Sequence, residues 1–135
     1  MRRDGFACRQ RASGATRPRV QPLGERSWEQ LRQFVDSHLG DGIRLEQMAR
    51  AACLSRFHFA RRFRARVGTS PMDYVLERRV EMAKQRLASS QADISAVAQD
   101  LGFFDQSHFY KVFSRRVGLT PGEYRARTLA RRTDA

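Results

Sequence analysis

The chain has 135 residues, enough for one compact domain or for two very small domains that share a core. Its 26 lysines and arginines exceed its 14 acidic residues, and the net charge of +12 favours a polyanionic partner, nucleic acid before an acidic membrane surface. Two cysteines at unrelated spacing exclude a disulfide framework and a zinc site, and the absence of a signal peptide or of ~20 consecutive apolar residues predicts a cytoplasmic protein.

The N-terminal residues 1–26 are predicted to form a disordered basic arm. They contain seven arginines and only two acidic residues, and they show no apolar periodicity. Such an arm either adds non-specific affinity for DNA or reflects an over-extended start of the reading frame. Order is expected from Ser27, which with Gln30 forms the pattern of a capping box. The helix that follows has an apolar face of Trp28, Leu31, Val35 and Leu39.

Residues 45–124 contain one helical pattern twice, here called the first and the second copy. A short apolar stripe recurs after 49 residues and a longer motif recurs after 50, so the second copy has one additional residue in its turn. The stripes are Leu45, Met48, Ala49 and Ala52, then Ile94, Val97, Ala98 and Leu101; the motifs are His58, Phe59, Phe63, Val67, Gly68, Pro71 and Tyr74, then His108, Phe109, Phe113, Val117, Gly118, Pro121 and Tyr124. Each copy predicts a short helix, a tight turn and a second helix.

Cap residues lie at the predicted ends of these helices. A Ser or Asp precedes each second helix, a glycine follows it, and a Ser-Pro or Thr-Pro pair starts the next helix. These caps are Ser55, Asp105, Gly68, Gly118, Ser70 and Thr120, and Asp93 precedes the first helix of the second copy. Between the copies, the segment 71–89 predicts a connector helix of about 18 residues, roughly 27 Å long. No strand pattern appears, so we expect an all-α fold.

A short helix, a tight turn and a second helix form the helix-turn-helix outline, whose second helix lies in the major groove of DNA. Arginine or lysine can donate to guanine, glutamine can pair with adenine, and a phenylalanine can contact a thymine methyl. The predicted base-reading residues are Arg56, Phe57, Ala60 and Arg61 in the first copy and Gln106, Ser107, Tyr110 and Lys111 in the second. The predicted phosphate contacts are Arg62, Arg64, Arg66, Ser114, Arg115 and Arg116. The alternative is a solvated basic face, but two in-register copies favour groove reading.

Two such helices on a stiff connector predict contacts with successive major grooves, which recur every ~34 Å. The connector is shorter than that, so the DNA is expected to bend toward the protein. The exposed residues differ between the copies, which predicts an asymmetric site read by a monomer.

The stretch "DLGFFDQSHFYKVFSRRVGLTPGEYR" closely resembles the signature of the AraC/XylS family of bacterial transcription regulators, and the connector "PMDYVLERRVEMAKQRL" is similar to the connector of that family. The resemblance covers roughly residues 28–127. It implies about seven helices in two helix-turn-helix subdomains, a homeodomain-like tandem, and the same base-reading positions. It also implies control of transcription, usually activation through contact with RNA polymerase.

The domain organisation expected from this resemblance is a first subdomain at 27–70, the connector at 71–89, a second subdomain at 90–128 and a disordered tail at 129–135. Only about 27 residues precede the matched region, whereas many members carry a sensor domain there. The chain therefore resembles the stand-alone branch of the family, whose activity follows abundance. A truncated gene or a fragment is the competing interpretation.

Two other classes of function stay open on sequence alone. One is a sequence-indifferent nucleoid or nucleic-acid binder, which predicts steep salt dependence with little preference between sequences. The other is a regulator fragment that acts through protein–protein contact. Catalysis is not expected, because no phosphate loop, nucleophile elbow or carboxylate pair appears. No cofactor is expected, and the histidines share no metal-binding spacing.

Overall fold

The computed structural model describes residues 20–134, and this range folds into seven α-helices without a strand, as the sequence predicts. The helices are α1 (Glu25–Ser37), α2 (Leu45–Ala51), α3 (Arg56–Val67), α4 (Pro71–Ser89), α5 (Ile94–Asp100), α6 (Gln106–Val117) and α7 (Pro121–Asp134). The described residues form two compact units. Unit 1 comprises those up to His38 together with Ile43–Val75, and unit 2 comprises Leu39–Gly42 and the chain from Leu76 onward. The division falls inside α4, whereas the sequence predicted the connector as a segment of its own.

The two copies have matching helices, which confirms the repeat read from the sequence. Both α2 and α5 have seven residues, and both α3 and α6 have twelve. Ser55 Oγ accepts from the backbone N–H of His58 at 3.3 Å, and Asp105 Oδ1 accepts from that of His108 at 2.8 Å. These bonds satisfy backbone donors that a helix start otherwise leaves unpaired, so both second helices begin where the caps predicted.

The helix ends also follow the local sequence. Gly68 and Gly118 end α3 and α6 in the left-handed conformation, with φ of 93° and 88°. Thr120 and Glu123 form the reciprocal capping box of α7, with N–H donors at 3.0 and 3.1 Å from the partner side-chain oxygens. Local chemistry therefore fixes the boundaries of both second helices and the start of α7.

The core of unit 1 lies behind α3. Phe59 and Phe63 are fully buried, and the Phe63 ring packs against Tyr74 at 5.6 Å and Trp28 at 5.9 Å between centroids. Burial of each such side chain contributes roughly 1.5–3 kcal/mol. Further buried residues from the neighbouring helices are Leu31, Val35, Met48, Ala49 and Val75. One face of α3 is thus fixed inward, which leaves the opposite face exposed.

The core of unit 2 repeats this ring arrangement behind α6. The rings of Phe109 and Phe113 lie 5.5 Å apart, and Phe113 packs against Tyr124 at 5.7 Å. Phe103, which has no aromatic equivalent in the first copy, adds a contact to Phe109 at 4.8 Å. The remaining buried members are Val80, Ala83, Leu87, Val97, Ala98 and Leu101.

A buried arginine lies inside unit 2. Arg79 of α4 is 8% exposed, and its Nε donates to the carbonyl of Leu39 at 3.0 Å. Burial lowers the pKa of Arg79, but its guanidinium stays protonated, as arginine does throughout proteins. The side chain therefore satisfies a loop carbonyl and ties the segment Leu39–Gly42 to α4.

The N-terminal boundary differs from the prediction. Helix α1 begins at Glu25 with Gly24 as N-cap, so Ser27 lies within the first turn and is not the cap. Of the predicted disordered arm 1–26, residues 1–19 lie outside the described residues, and residues 20–26 are ordered. The physical reason is a long-range contact, because Leu23 is buried and its N–H donates to the carbonyl of Arg62 at 3.3 Å.

The C-terminal boundary differs as well. Helix α7 continues to Asp134, where the sequence predicted a disordered tail from residue 129. The guanidinium of Arg132 donates to the carbonyl of Ala88 at 2.5 Å, and that of Arg125 donates to Ala92 at 2.6 Å. These bonds satisfy carbonyls at and after the end of α4 and hold the last helix in place.

Candidate nucleic-acid interface

The exposed face of α3 carries the predicted base-reading stripe of the first copy. Phe59 and Phe63 occupy the buried face, so the offset positions point away from the core. Phe57 is 67% exposed, Arg61 and Arg64 are exposed, and Ala60 is half-buried. The structure therefore brings an aromatic ring and two guanidinium groups to one accessible side of a capped helix.

The exposed face of α6 carries the corresponding stripe of the second copy. Its side chains form one open surface, and all of the residues on that surface belong to this one helix. They are the four predicted base readers and two of the predicted phosphate contacts: Gln106, Ser107, Tyr110, Lys111, Ser114 and Arg115. Amide, hydroxyl, phenol and ammonium groups on one surface can donate to and accept from base edges.

Arg56 starts α3 and is already paired within unit 1. Its Nη1 lies 2.9 Å from Glu46 Oε2, and both side chains are more than half exposed. A hydrogen bond from its own backbone, followed by the bond from Arg56, lowers the pKa of Glu46, so this carboxylate is ionised at neutral pH. Glu46 therefore competes with any anion that approaches Arg56.

Replacement of Glu46 by glutamine is expected to tighten DNA binding about threefold, because an exposed ion pair contributes ~0–1 kcal/mol and its loss frees Arg56 for phosphate. The slope of log affinity against log salt concentration should become steeper by about one, which corresponds to one additional positive charge in contact with phosphate. Fluorescence anisotropy titrations at several salt concentrations measure both. Glu29→Gln is the matched control, because Glu29 pairs with Arg32 on α1 at 3.2 Å. Equal effects of the two variants would show that Arg56 has no part in binding.

Arg62 and Arg66 lie against the N-terminal segment of unit 1. Arg62 donates to the carbonyls of Gln21 at 3.1 Å and Pro22 at 3.3 Å. Arg66 donates to the carbonyl of Leu23 at 3.2 Å, pairs with Glu25 at 3.1 Å and lies over the ring of Trp28 at 5.5 Å. The structure thus does not group these two predicted phosphate contacts with the exposed stripe. The positions of Arg62 and Arg66 on α3 could not predict these contacts, because the partner segment lies about 40 residues earlier in the chain.

Of the other predicted phosphate contacts, Arg64 lies on the stripe of α3 and Ser114 and Arg115 lie on that of α6, whereas helical spacing puts Arg116 on another side of α6. Arg64, Arg115 and Arg116 are exposed, and Ser114 is half-buried on α6. Phe104, which is 87% exposed and immediately precedes the cap Asp105, was not among the predicted site residues. The single inserted residue of the second copy was the signal that could have identified it.

Within the described residues, no three or more His, Cys, Asp or Glu side chains are grouped so that they could hold a metal ion. In that same range no helix has the length and apolar character needed to cross a membrane.

Comparison with known proteins identifies relatives in sequence. A family described as a helix-turn-helix domain matches residues 48–127. The MmsAB operon regulatory protein of Pseudomonas aeruginosa is 36% identical over 112 residues, which cover 82% of this chain and 36% of that protein. The arabinose operon regulatory protein of Escherichia coli is 32% identical over 95 residues, which cover 70% of this chain and 32% of that protein. The chain spans about a third of the length of these curated relatives.

Solved structures share the fold. The DNA-binding domain of AdpA, a global transcriptional factor solved in complex with a target DNA, superposes with a TM-score of 0.74 at 30% identity and covers 85% of this chain and 99% of that one. An AraC-type regulator from Chromobacterium violaceum gives 0.73 at 24% identity, with 77% and 93% coverage, and supports the fold alone.

Proposed function

Because the chain belongs to the AraC/XylS family of sequence-specific DNA-binding regulators, we propose that α3 and α6 are its recognition helices and read adjacent major-groove segments of one asymmetric site. The observation that carries this proposal is the pairing of a buried aromatic face with an exposed polar stripe, found at equivalent positions of both helices. A helix fixed in this way can enter a groove without unfolding its own core.

For α6, we assign base reading to Gln106, Ser107, Tyr110 and Lys111. The amide of Gln106 can pair with the N6 and N7 groups of adenine, and the ammonium of Lys111 can donate to guanine O6 and N7. Their common position on the exposed face of α6 supports the assignment. For α3, we assign the same role to Arg56, Phe57, Ala60 and Arg61.

We assign phosphate contacts to Arg64, Ser114 and Arg115, which lie on the two stripes, and to Arg116, which is exposed on α6. We do not extend this assignment to Arg62 and Arg66, because their guanidinium groups hold residues 21–25 against α3.

The proposal that the two segments are adjacent rests on the length of α4. Its 19 residues span about 28 Å, compared with ~34 Å between successive major grooves. We therefore propose that the DNA bends toward the protein. The bend would favour flexible pyrimidine–purine steps at positions that no side chain touches.

We further propose that the protein acts in the cytoplasm on nucleoid DNA as a transcription activator that contacts RNA polymerase and binds its site as a monomer. The names of the relatives support regulation of operons, and the unlike stripes of α3 and α6 support a site without two-fold symmetry. Action through protein–protein contact alone is less favoured, because it gives no reason for two exposed polar stripes.

Selection of bound duplexes from a random DNA pool tests the proposal. The intact chain should enrich one asymmetric sequence and prefer it over unrelated DNA by ~10³-fold or more at physiological salt. Comparable affinity for all duplexes, with a steep salt dependence, would instead identify a non-specific binder.

A further inference from the structure

We infer that Phe57 and Arg61 act as one specificity-determining unit, which reads a guanine whose neighbouring base pair contains a thymine. This inference rests on the proposed function of α3 as a recognition helix and names the base step that this helix prefers.

The first observation is a contact between the two side chains. Arg61 Cζ lies 5.7 Å from the centroid of the Phe57 ring, and the two residues are one helical turn apart on the exposed face of α3. A guanidinium over an aromatic ring is attracted by the electron-rich ring face, within the usual limit of ≈ 6 Å. The ring therefore restricts the orientations of the Arg61 fork before DNA arrives.

The second observation is the exposure of the ring. Phe57 is 67% exposed, whereas the two other phenylalanines of α3, Phe59 and Phe63, are fully buried. Phe57 therefore contributes little burial to the core of unit 1, and its apolar surface is available to a ligand. In the major groove the matching apolar group is the C5-methyl of thymine.

The distance between the two groups limits how far apart their bases can be. Successive base pairs rise by 3.4 Å, so a ring and a guanidinium 5.7 Å apart reach the same or neighbouring pairs. A guanine and a thymine cannot share one Watson–Crick pair. The two groups therefore specify neighbouring pairs, with guanine contacted by Arg61 and thymine contacted by Phe57.

The second copy does not repeat this unit. The equivalent positions on α6 are Ser107 and Lys111, a hydroxyl and an ammonium group, which carry neither an aromatic ring nor a guanidinium fork. The guanine–thymine step is therefore assigned to the half of the site that α3 contacts, which also sets the orientation of the protein on its DNA.

The test uses the intact chain and the duplex enriched from a random pool, with modified bases at the proposed step. Uracil in place of the thymine removes only the methyl group and should weaken binding about fourfold. 7-Deazaguanine in place of the guanine removes the N7 acceptor and should weaken binding about tenfold. Anisotropy titrations at constant salt give the dissociation constants.

Three variants separate the roles of the two side chains. Phe57→Ala should bind the thymine and uracil duplexes equally, and Arg61→Ala should bind the guanine and 7-deazaguanine duplexes equally. Phe57→Leu keeps an apolar contact but loses the ring, so it should retain the uracil effect while its 7-deazaguanine effect falls toward that of Arg61→Ala. Lys111→Ala is the matched control and should keep both effects at this step. Circular dichroism spectra check that each variant is folded.

The outcomes are distinguishable from those of the proposed function. If no sequence is enriched at all, the proposed function fails and the inference fails with it. If a sequence is enriched but the affinity changes caused by uracil and 7-deazaguanine do not depend on Phe57 and Arg61, this inference is overturned. The proposed role of α3 and α6 as recognition helices would still stand.

Discussion

Replacement of Gly102 by alanine is expected to destabilise unit 2 by roughly 4 kcal/mol, whereas the same change at Gly118 should cost roughly 1 kcal/mol. Both glycines are left-handed, with φ of 84° and 88°. They differ in the space around them. A Cβ at Gly102 would lie 2.5 Å from the carbonyl oxygen of Leu39 and 2.9 Å from Nη2 of Arg79, whereas nothing lies within 4 Å of a Cβ at Gly118.

A left-handed conformation does not by itself exclude a side chain at this position. Cys53 occupies the position equivalent to Gly102 and carries a side chain at φ 61°. The larger cost at Gly102 therefore comes from displacing the buried bond between Arg79 and Leu39, whose loss leaves a buried carbonyl unpaired.

Urea unfolding followed by far-UV circular dichroism measures the two glycine variants. Fluorescence of the single tryptophan, Trp28, which packs against Phe63 in unit 1, provides a second probe of the unfolding transition. Equal losses of stability in Gly102→Ala and Gly118→Ala would show that the contacts around Gly102 do not stabilise unit 2.

The double replacement of Gln106 and Lys111 by alanine is expected to weaken binding to the selected duplex about 100-fold, since each base-edge contact contributes ~1–3 kcal/mol. Affinity for unrelated DNA should fall only by the contribution of the one positive charge that is lost with Lys111. The loss should be confined to the base pairs that α6 reads. Preference at the guanine–thymine step assigned to α3 should persist.

A second lysine provides the matched control for this experiment. The chain has only two lysines, and the other one, Lys84 of α4, pairs with Glu81 at 3.3 Å. Lys84→Ala removes the same charge away from the exposed stripes and should change affinity less than about threefold. If Lys84→Ala and the double variant lost similar affinity, α6 would contribute to binding only through its positive charge.

Most of the fold could be predicted from the sequence because its determinants are local. The caps Ser55 and Asp105 and the terminal glycines act within a few residues of themselves, and the matched apolar stripes give the helical period. What the sequence did not predict depends on contacts between distant residues. The order of residues 20–26 comes from Arg62 and Arg66, and the continuation of α7 comes from bonds to α4.

The candidate site shows the same distinction. Helical spacing alone predicted that the stripe residues of α3 and of α6 share one face of each helix. Residues three or four positions apart lie on the same side of any α-helix. Spacing could not show that Arg56 is engaged by Glu46 or that Arg61 lies over Phe57, since these depend on side-chain positions. It also could not separate arginines that hold the chain together from arginines that face solvent.

We propose that one chain reads two unlike neighbouring groove segments. Hydroxyl-radical footprinting of the selected duplex, with the stoichiometry measured in the same solution, tests it most directly. We predict one chain per duplex and two protected segments about one helical turn apart, 10–10.5 base pairs, with Gln106→Ala/Lys111→Ala losing protection in one segment only. A single protected segment, or an inverted repeat covered by two chains, would contradict the account.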